Sequence, residues 1–135
     1  MSSSEERKRP WLTVDVVIQR TDSSIVLVKR KNPPFKGHYA LPGGFVEYGE
    51  KVETAAVREA KEETGLEIRL LRILGVYSDP ERDPRGHVVS IVYLAEETGG
   101  NLRASSDAQE VEALQQIPEK LAFDHRKILE DAQRQ

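Results

Sequence analysis

A chain of 135 residues is long enough for one domain with a hydrophobic core, and its formal net charge of -3 supplies no basic field for nucleic acid or an anionic membrane. It has no cysteine, which excludes disulfides, thiolate zinc sites and a thiol nucleophile and suits a reducing cytoplasm. No apolar run approaches the roughly 18 residues of a membrane span and no signal peptide is visible, so a cytoplasmic protein is expected, with neither nucleic acid nor membrane as partner.

Residues 1–10 are polar and charged without periodicity, and predict a flexible tail ahead of a single domain over 11–135. Trp11–Gln19 reads as a strand, since Val14, Val16, Val17 and Ile18 are β-branched. Thr21, Asp22, Ser23 and Ser24 give turn chemistry, and Ile25–Val28 completes a hairpin. Lys29, Arg30 and Lys31 follow, either as a solvated strand end or as an edge that faces an anion. Asn32–His38 holds Pro33, Pro34 and Gly37 and is a loop. Phe35 within it is either a core plug or a stacking surface. Gly43 and Gly44 follow Pro42 and allow close approach to the main chain. Phe45 and Val46 read as a short strand.

Glu50–Thr64 has no Pro or Gly and is rich in Ala, Glu and Lys, which predicts a helix closed by Gly65. At 100° per residue, Val52, Ala55, Ala56 and Ala60 form one stripe, and Glu59 and Glu63 lie about 20° to either side of its Val52. Glu62 lies at the stripe's edge. Three carboxylates therefore point toward the protein, where an unpaired charge is costly and a hard divalent cation is a natural partner. The plainer alternative is a solvated acidic helix face.

Leu66–Tyr77 predicts one or two strands. Ser78–Gly86 is a stiff loop with two Asp-Pro steps, and it displays Arg82 and Arg85 to either phosphate or water. His87–Ala95 is a nearly continuous apolar run, expected to be central and buried on both faces. Glu96–Ser106 reads as a loop, the stretch from Asp107 to Glu112 as acidic, and Val111–Ile117 as a last strand. Pro118 is expected to open a C-terminal helix with Leu121, Ala122, Phe123, Ile128 and Leu129 as its apolar residues. The sum is an α/β chain of α+β type, a helix–sheet–helix sandwich.

Gly44, five residues, Glu50, seven residues, then Arg58-Glu59-Ala60-Lys61-Glu62-Glu63-Thr64-Gly65-Leu66 resembles the box of the Nudix hydrolases. Ala60, where that family usually has a larger aliphatic residue, departs in packing and not in chemistry. The resemblance implies a Nudix-like α/β/α sandwich with a mixed β-sheet over 11–130, and hydrolysis of a nucleoside diphosphate linked to a further group. It implies Mg²⁺, with Mn²⁺ as a substitute, on Glu59, Glu62 and Glu63 with a carbonyl from Gly44 or Gly43. Arg58 would orient the glutamates, and Glu50 would fix the loop to the helix or assist indirectly. Glu62 and Glu110 are the candidate general bases, and Glu63 joins them among the catalytic residues. Pro34-Phe35-Lys36-Gly37 and Asp79-Pro80-Glu81-Arg82-Asp83-Pro84-Arg85 are similar to phrases of ADP-ribose pyrophosphatases. They place Arg82 or Arg85, with Arg30 and Phe35, on the substrate side. That likeness makes ADP-ribose, cleaved to AMP and ribose 5-phosphate, the first substrate to test, and a homodimer is expected. A nucleoside triphosphate pyrophosphohydrolase and a non-catalytic ADP-ribose-type binding module are the alternatives.

Overall fold

Among the described residues, alternating apolar runs and glycine punctuation yield seven strands and two helices. They are β1 (Trp11–Gln19), β2 (Ile25–Arg30), β3 (Tyr39–Ala40), β4 (Gly43–Phe45), α1 (Val52–Thr64), β5 (Leu66–Tyr77), β6 (Val88–Gly100), β7 (Ala108–Leu114) and α2 (His125–Gln133). The computed structural model describes residues 7–104 and 108–134. The part of the expected tail at 1–6, and the parts of the expected loop and acidic stretch at 105–107, lie outside the described residues.

One mixed sheet runs β3-β2-β1-β6-β5, with β4 on β1 and β7 on β2. β1 and β6 are parallel in register from Trp11↔Val88 to Gln19↔Glu96, and the other pairings are antiparallel. The period of two along β1 sorts its side chains between two layers. Val14, Val16 and Ile18 pack with Ala55, Ala56 and Ala60 of α1. Val17 packs with Leu27, Val92, Ile128 and Leu129, on the side of α2. Each fully buried Val, Leu or Ile contributes roughly 1.5–3 kcal/mol, so the two layers hold the helices on opposite faces. The expected helix–sheet–helix sandwich with a mixed sheet is the architecture found.

Several boundaries differ from the sequence expectation. β6 continues through the expected loop from Glu96 to Gly100, because its acids find cross-strand partners: Glu96 pairs with Arg69 and Glu97 with Arg20. β1 is the strand covered on both faces, whereas β6 alternates buried and half-buried residues. β7 starts at Ala108 and ends at Leu114, earlier than Val111–Ile117. The glycine pair is strand β4 and not an open turn, with Val14↔Gly44 and Asp15↔Gly43 in register. The C-terminal helix starts at His125 and not at Pro118. Ala122 donates its N–H to Tyr39 O, and Phe123 has φ 54°, which no right-handed helix accommodates. Helix α1 ends as expected, with Gly65 left-handed at φ 78°. Among the described residues no helix is long and apolar enough to cross a membrane.

Candidate active site

The register of β4 on β1 brings the glycine pair against α1, so closely that a Cβ at either position would displace a neighbour. A Cβ at Gly44 would sit 2.3 Å from Glu59 Oε2, and one at Gly43 would sit 2.1 Å from the Val14 carbonyl oxygen. Gly43 donates its N–H to Glu63 Oε1 at 2.7 Å. Helix phase and glycine approach thus place Glu59 and Glu63 side by side against the turn.

Arg58 ties this wall together. Its guanidinium donates to both Glu50 oxygens (2.8 and 2.9 Å), to Glu59 Oε2 (3.1 Å), to Glu62 Oε1 (3.3 Å) and to the Phe45 carbonyl (3.3 Å). Glu50 also accepts the N–H of Glu47 at 3.0 Å, which anchors the turn to the helix. The hydrogen bonds from Arg58 hold the Glu50 carboxyl down at about 2. Glu63 behaves oppositely. Burial pushes it up to about 8, against the pull of the Gly43 N–H and with help from Glu59 and Asp15. Glu59 is raised by burial too, while Arg58 opposes. Glu62 keeps 57 % of its side chain exposed.

A second wall comes from β1 and α2. Asp15 shares the sheet face of Val17, so it points toward the start of α2. It accepts a hydrogen bond from Ser90 Oγ, and burial pushes it up to about 7. His125 Nδ1 accepts the N–H of Leu41 at 3.0 Å, and Nε2 lies 3.9 Å from Asp15 Oδ1. Burial lowers His125 to about 3. The ring is therefore neutral with its hydrogen on Nε2, and the contact with Asp15 is not an ion pair.

The third wall is cationic. Arg30 and Arg85 line the same cavity of about 400 Å³ as Glu63, Asp15 and His125. Arg30 is lowered first by burial and then by Arg85, so two guanidiniums stand close enough to repel. Arg85 is held by Asp83 through both carboxylate oxygens (3.1 and 2.8 Å) yet keeps 43 % of its side chain exposed. Arg82 lines the cavity too, in a different setting. It donates to both oxygens of Asp124 (2.9 and 2.7 Å), with only 4 % of its side chain exposed. Phe35 packs with Val28, Ala40 and Ala122 behind Phe123, the core-plug alternative of the sequence reading. Glu110 stands on β7 opposite Lys29, 3.9 Å from its Nζ. Of the residues expected at the site, Gly43, Gly44, Glu50, Arg58, Glu59, Glu62 and Glu63 form one connected wall. Arg30 and Arg85 line one cavity with Gly43, Gly44 and Glu63 of that wall. Asp15, Ser90, Asp124 and His125 are site residues that the sequence reading did not single out. The signal for Asp15 was a lone acid inside the β-branched run Val14–Ile18.

Among the described residues no three carboxylate or imidazole side chains converge tightly enough to cage an ion by themselves. A small hard cation needs no such cage, because it keeps waters and takes one or two carboxylates plus substrate phosphates. Two adjacent desolvated glutamates against the backbone of the glycine strand β4 fit that demand.

The sequence model of the family described as NUDIX domain matches residues 9–132. The chain belongs to the Nudix family and is a Nudix hydrolase; hydrolases of this family generally need a divalent metal. An ADP-ribose pyrophosphatase of Methanocaldococcus jannaschii is 58 % identical over 93 % of this chain and 74 % of its own length. An ADPR responsive transcriptional repressor, NtrR of Acinetobacter baylyi, is 33 % identical over 91 % of this chain, which spans about half of the repressor (53 %). The solved NUDIX domain of Shewanella oneidensis NrtR complexed with ADP ribose superposes with a TM-score of 0.83 at 29 % identity, covering 98 % of this chain and 92 % of that one.

Proposed function

We propose that this enzyme hydrolyses the diphosphate of ADP-ribose to AMP and ribose 5-phosphate, using Mg²⁺, for which Mn²⁺ can substitute. The observation that carries the reading is the charge layout of one cavity. Two close guanidiniums, Arg30 and Arg85, line it together with the desolvated carboxylate of Glu63, and desolvated Glu59 stands beside Glu63 behind Gly44. Such a layout is relieved by an anion on one side and a cation on the other. A magnesium diphosphate supplies both. The 58 % identity with an ADP-ribose pyrophosphatase supports the choice of substrate.

On this reading Glu59, Glu63 and Glu62 would hold the cation, with the Gly44 carbonyl of β4. The bound cation neutralises phosphate charge and makes nearby water more acidic. The chain's own groups do the rest. Arg58 fixes the direction of Glu59 and Glu62, and Glu50 fixes Arg58 and the turn. Arg30 and Arg85 orient the phosphates. Arg82 acts indirectly, by holding Asp124 at the start of α2. Glu62, the most exposed of the three helix glutamates, takes the proton of the attacking water; Glu110 beside Lys29 is the other candidate.

The test is product identification. With Mg²⁺ and ADP-ribose, AMP and ribose 5-phosphate should appear together, and a chelator should stop both. Pyrophosphate released from nucleoside triphosphates, without ADP-ribose turnover, would replace the reading with that of a triphosphate pyrophosphohydrolase. Binding of ADP-ribose with no turnover would leave a binding module.

A further inference from the structure

Phe123 and His125 both line the cavity, and Phe123 stands where its cationic wall meets the start of α2. We propose that Phe123 is a positioning residue whose ring holds the Arg30 and Arg85 guanidiniums as a pair directed at a diphosphate. The inference rests on the reading above. The centroid of the Phe123 ring lies 5.1 Å from the Arg30 guanidinium carbon and 5.5 Å from that of Arg85. The two arginines come from distant parts of the chain, the end of β2 and the loop before β6, and they repel. The negative face of an aromatic ring attracts both cations and offsets that repulsion. Their remaining bonds set direction. Arg30 Nε donates to the Pro34 carbonyl at 2.6 Å, and Arg85 Nε and one amino group are taken by Asp83. Among the described residues no carboxylate forms an ion pair with Arg30.

The backbone supports the same reading. Phe123 and Phe35 both have left-handed φ values, 54° and 60°, and their rings meet at 5.0 Å. A bulky residue in that region costs about 1–2 kcal/mol, so it persists only where its surroundings impose it. Here they do. Ala122 N–H is held by Tyr39 O at 2.8 Å, Asp124 by Arg82, and the His125 ring by the Leu41 N–H. The strained residue is clamped on both sides, and its ring is presented to the two cations.

The experiment compares wild type, Phe123→Leu, Phe123→Tyr and Phe123→pentafluorophenylalanine. Leucine keeps apolar bulk without a ring, tyrosine keeps the ring, and the fluorinated ring keeps the shape while inverting its charge distribution. Affinity for inorganic pyrophosphate is measured by calorimetry, and KM and kcat are measured for ADP-ribose. Phe123→Leu and the fluorinated variant should bind pyrophosphate about five- to thirty-fold more weakly than wild type and raise KM by a similar factor, with Phe123→Tyr near wild type. Wild-type affinity in the fluorinated variant, which tests the point even if Phe123→Leu does not fold, overturns the proposal. So does equal impairment of Tyr and Leu, which marks a packing role, and so does a wild type that ignores pyrophosphate. If wild type binds pyrophosphate but leaves ADP-ribose intact, the substrate reading fails and the pyrophosphate series still decides the role of Phe123.

Discussion

Replacing Glu63 with Gln separates the charge of this side chain from its shape. The amide retains an oxygen for the Gly43 N–H but cannot ionise. In the cation-free protein burial raises the carboxyl from an ordinary 4.5 to about 8. The unfolded chain releases this proton near 4.5 and the folded chain near 8, so folding favours the protonated group. The folded state therefore loses stability as pH rises through that window, and the full loss is present above it. At 1.36 kcal/mol per pH unit the loss is at most roughly 5 kcal/mol. Glu63→Gln escapes it. In chelator the variant should match wild type near pH 5 and exceed it by a few kcal/mol at pH 8.5, read by urea unfolding followed by circular dichroism. Mg²⁺ should then stabilise wild type by mass action and the variant far less. Turnover of the variant should fall by about 10²-fold or more, since several kcal/mol of charge stabilisation is lost. Equal stability of the two proteins at pH 8.5 in chelator, or equal stabilisation by Mg²⁺, would refute the reasoning.

Gly44→Ala places a methyl 2.3 Å from Glu59 Oε2, whose position Arg58 fixes, so the carboxylate must move. The Mg²⁺ concentration for half-maximal rate should rise by about tenfold or more, with secondary structure unchanged by circular dichroism. Asp124→Asn leaves the Arg82 guanidinium buried without its counter-charge, which should cost about 3–5 kcal/mol in denaturant unfolding. Glu62→Gln should lower kcat for ADP-ribose in saturating Mg²⁺ by about 10²–10⁴-fold. Glu110→Gln should leave kcat near wild type, and the opposite pattern would move the base to β7.

The residues whose role depends on helical phase were legible in the sequence, because Glu59 and Glu63 share a stripe with Ala56 and Ala60, and α1 buries that stripe. Gly43 and Gly44 were legible as a close approach, though the partner strand was not. What escaped was set by long-range register. Asp15 becomes a site residue only because β1 aligns it with Gly43 and turns it toward α2. Arg82 lines the cavity, but its pairing with Asp124, 42 positions away, is announced by nothing local to either residue. The start of α2 was misread at Pro118 because proline favours a first turn. The left-handed Phe123 postpones the helix to His125. Glu96 and Glu97 looked like loop chemistry because their partners lie far away in sequence, Arg69 on β5 and Arg20 just past the end of β1.

Arg30 and Arg85 are proposed to hold the diphosphate of ADP-ribose in the cavity that Glu63 lines, with Glu59 beside Glu63 helping to hold the cation. The most direct test is kcat/KM in Mg²⁺ for ADP-ribose against a panel of nucleoside triphosphates and other dinucleotides, in wild type and in Arg85→Ala. The account expects ADP-ribose to lead the panel, and Arg85→Ala to lower its kcat/KM mainly through KM. A triphosphate at the head of the panel, or an unchanged KM for ADP-ribose in Arg85→Ala, would contradict it.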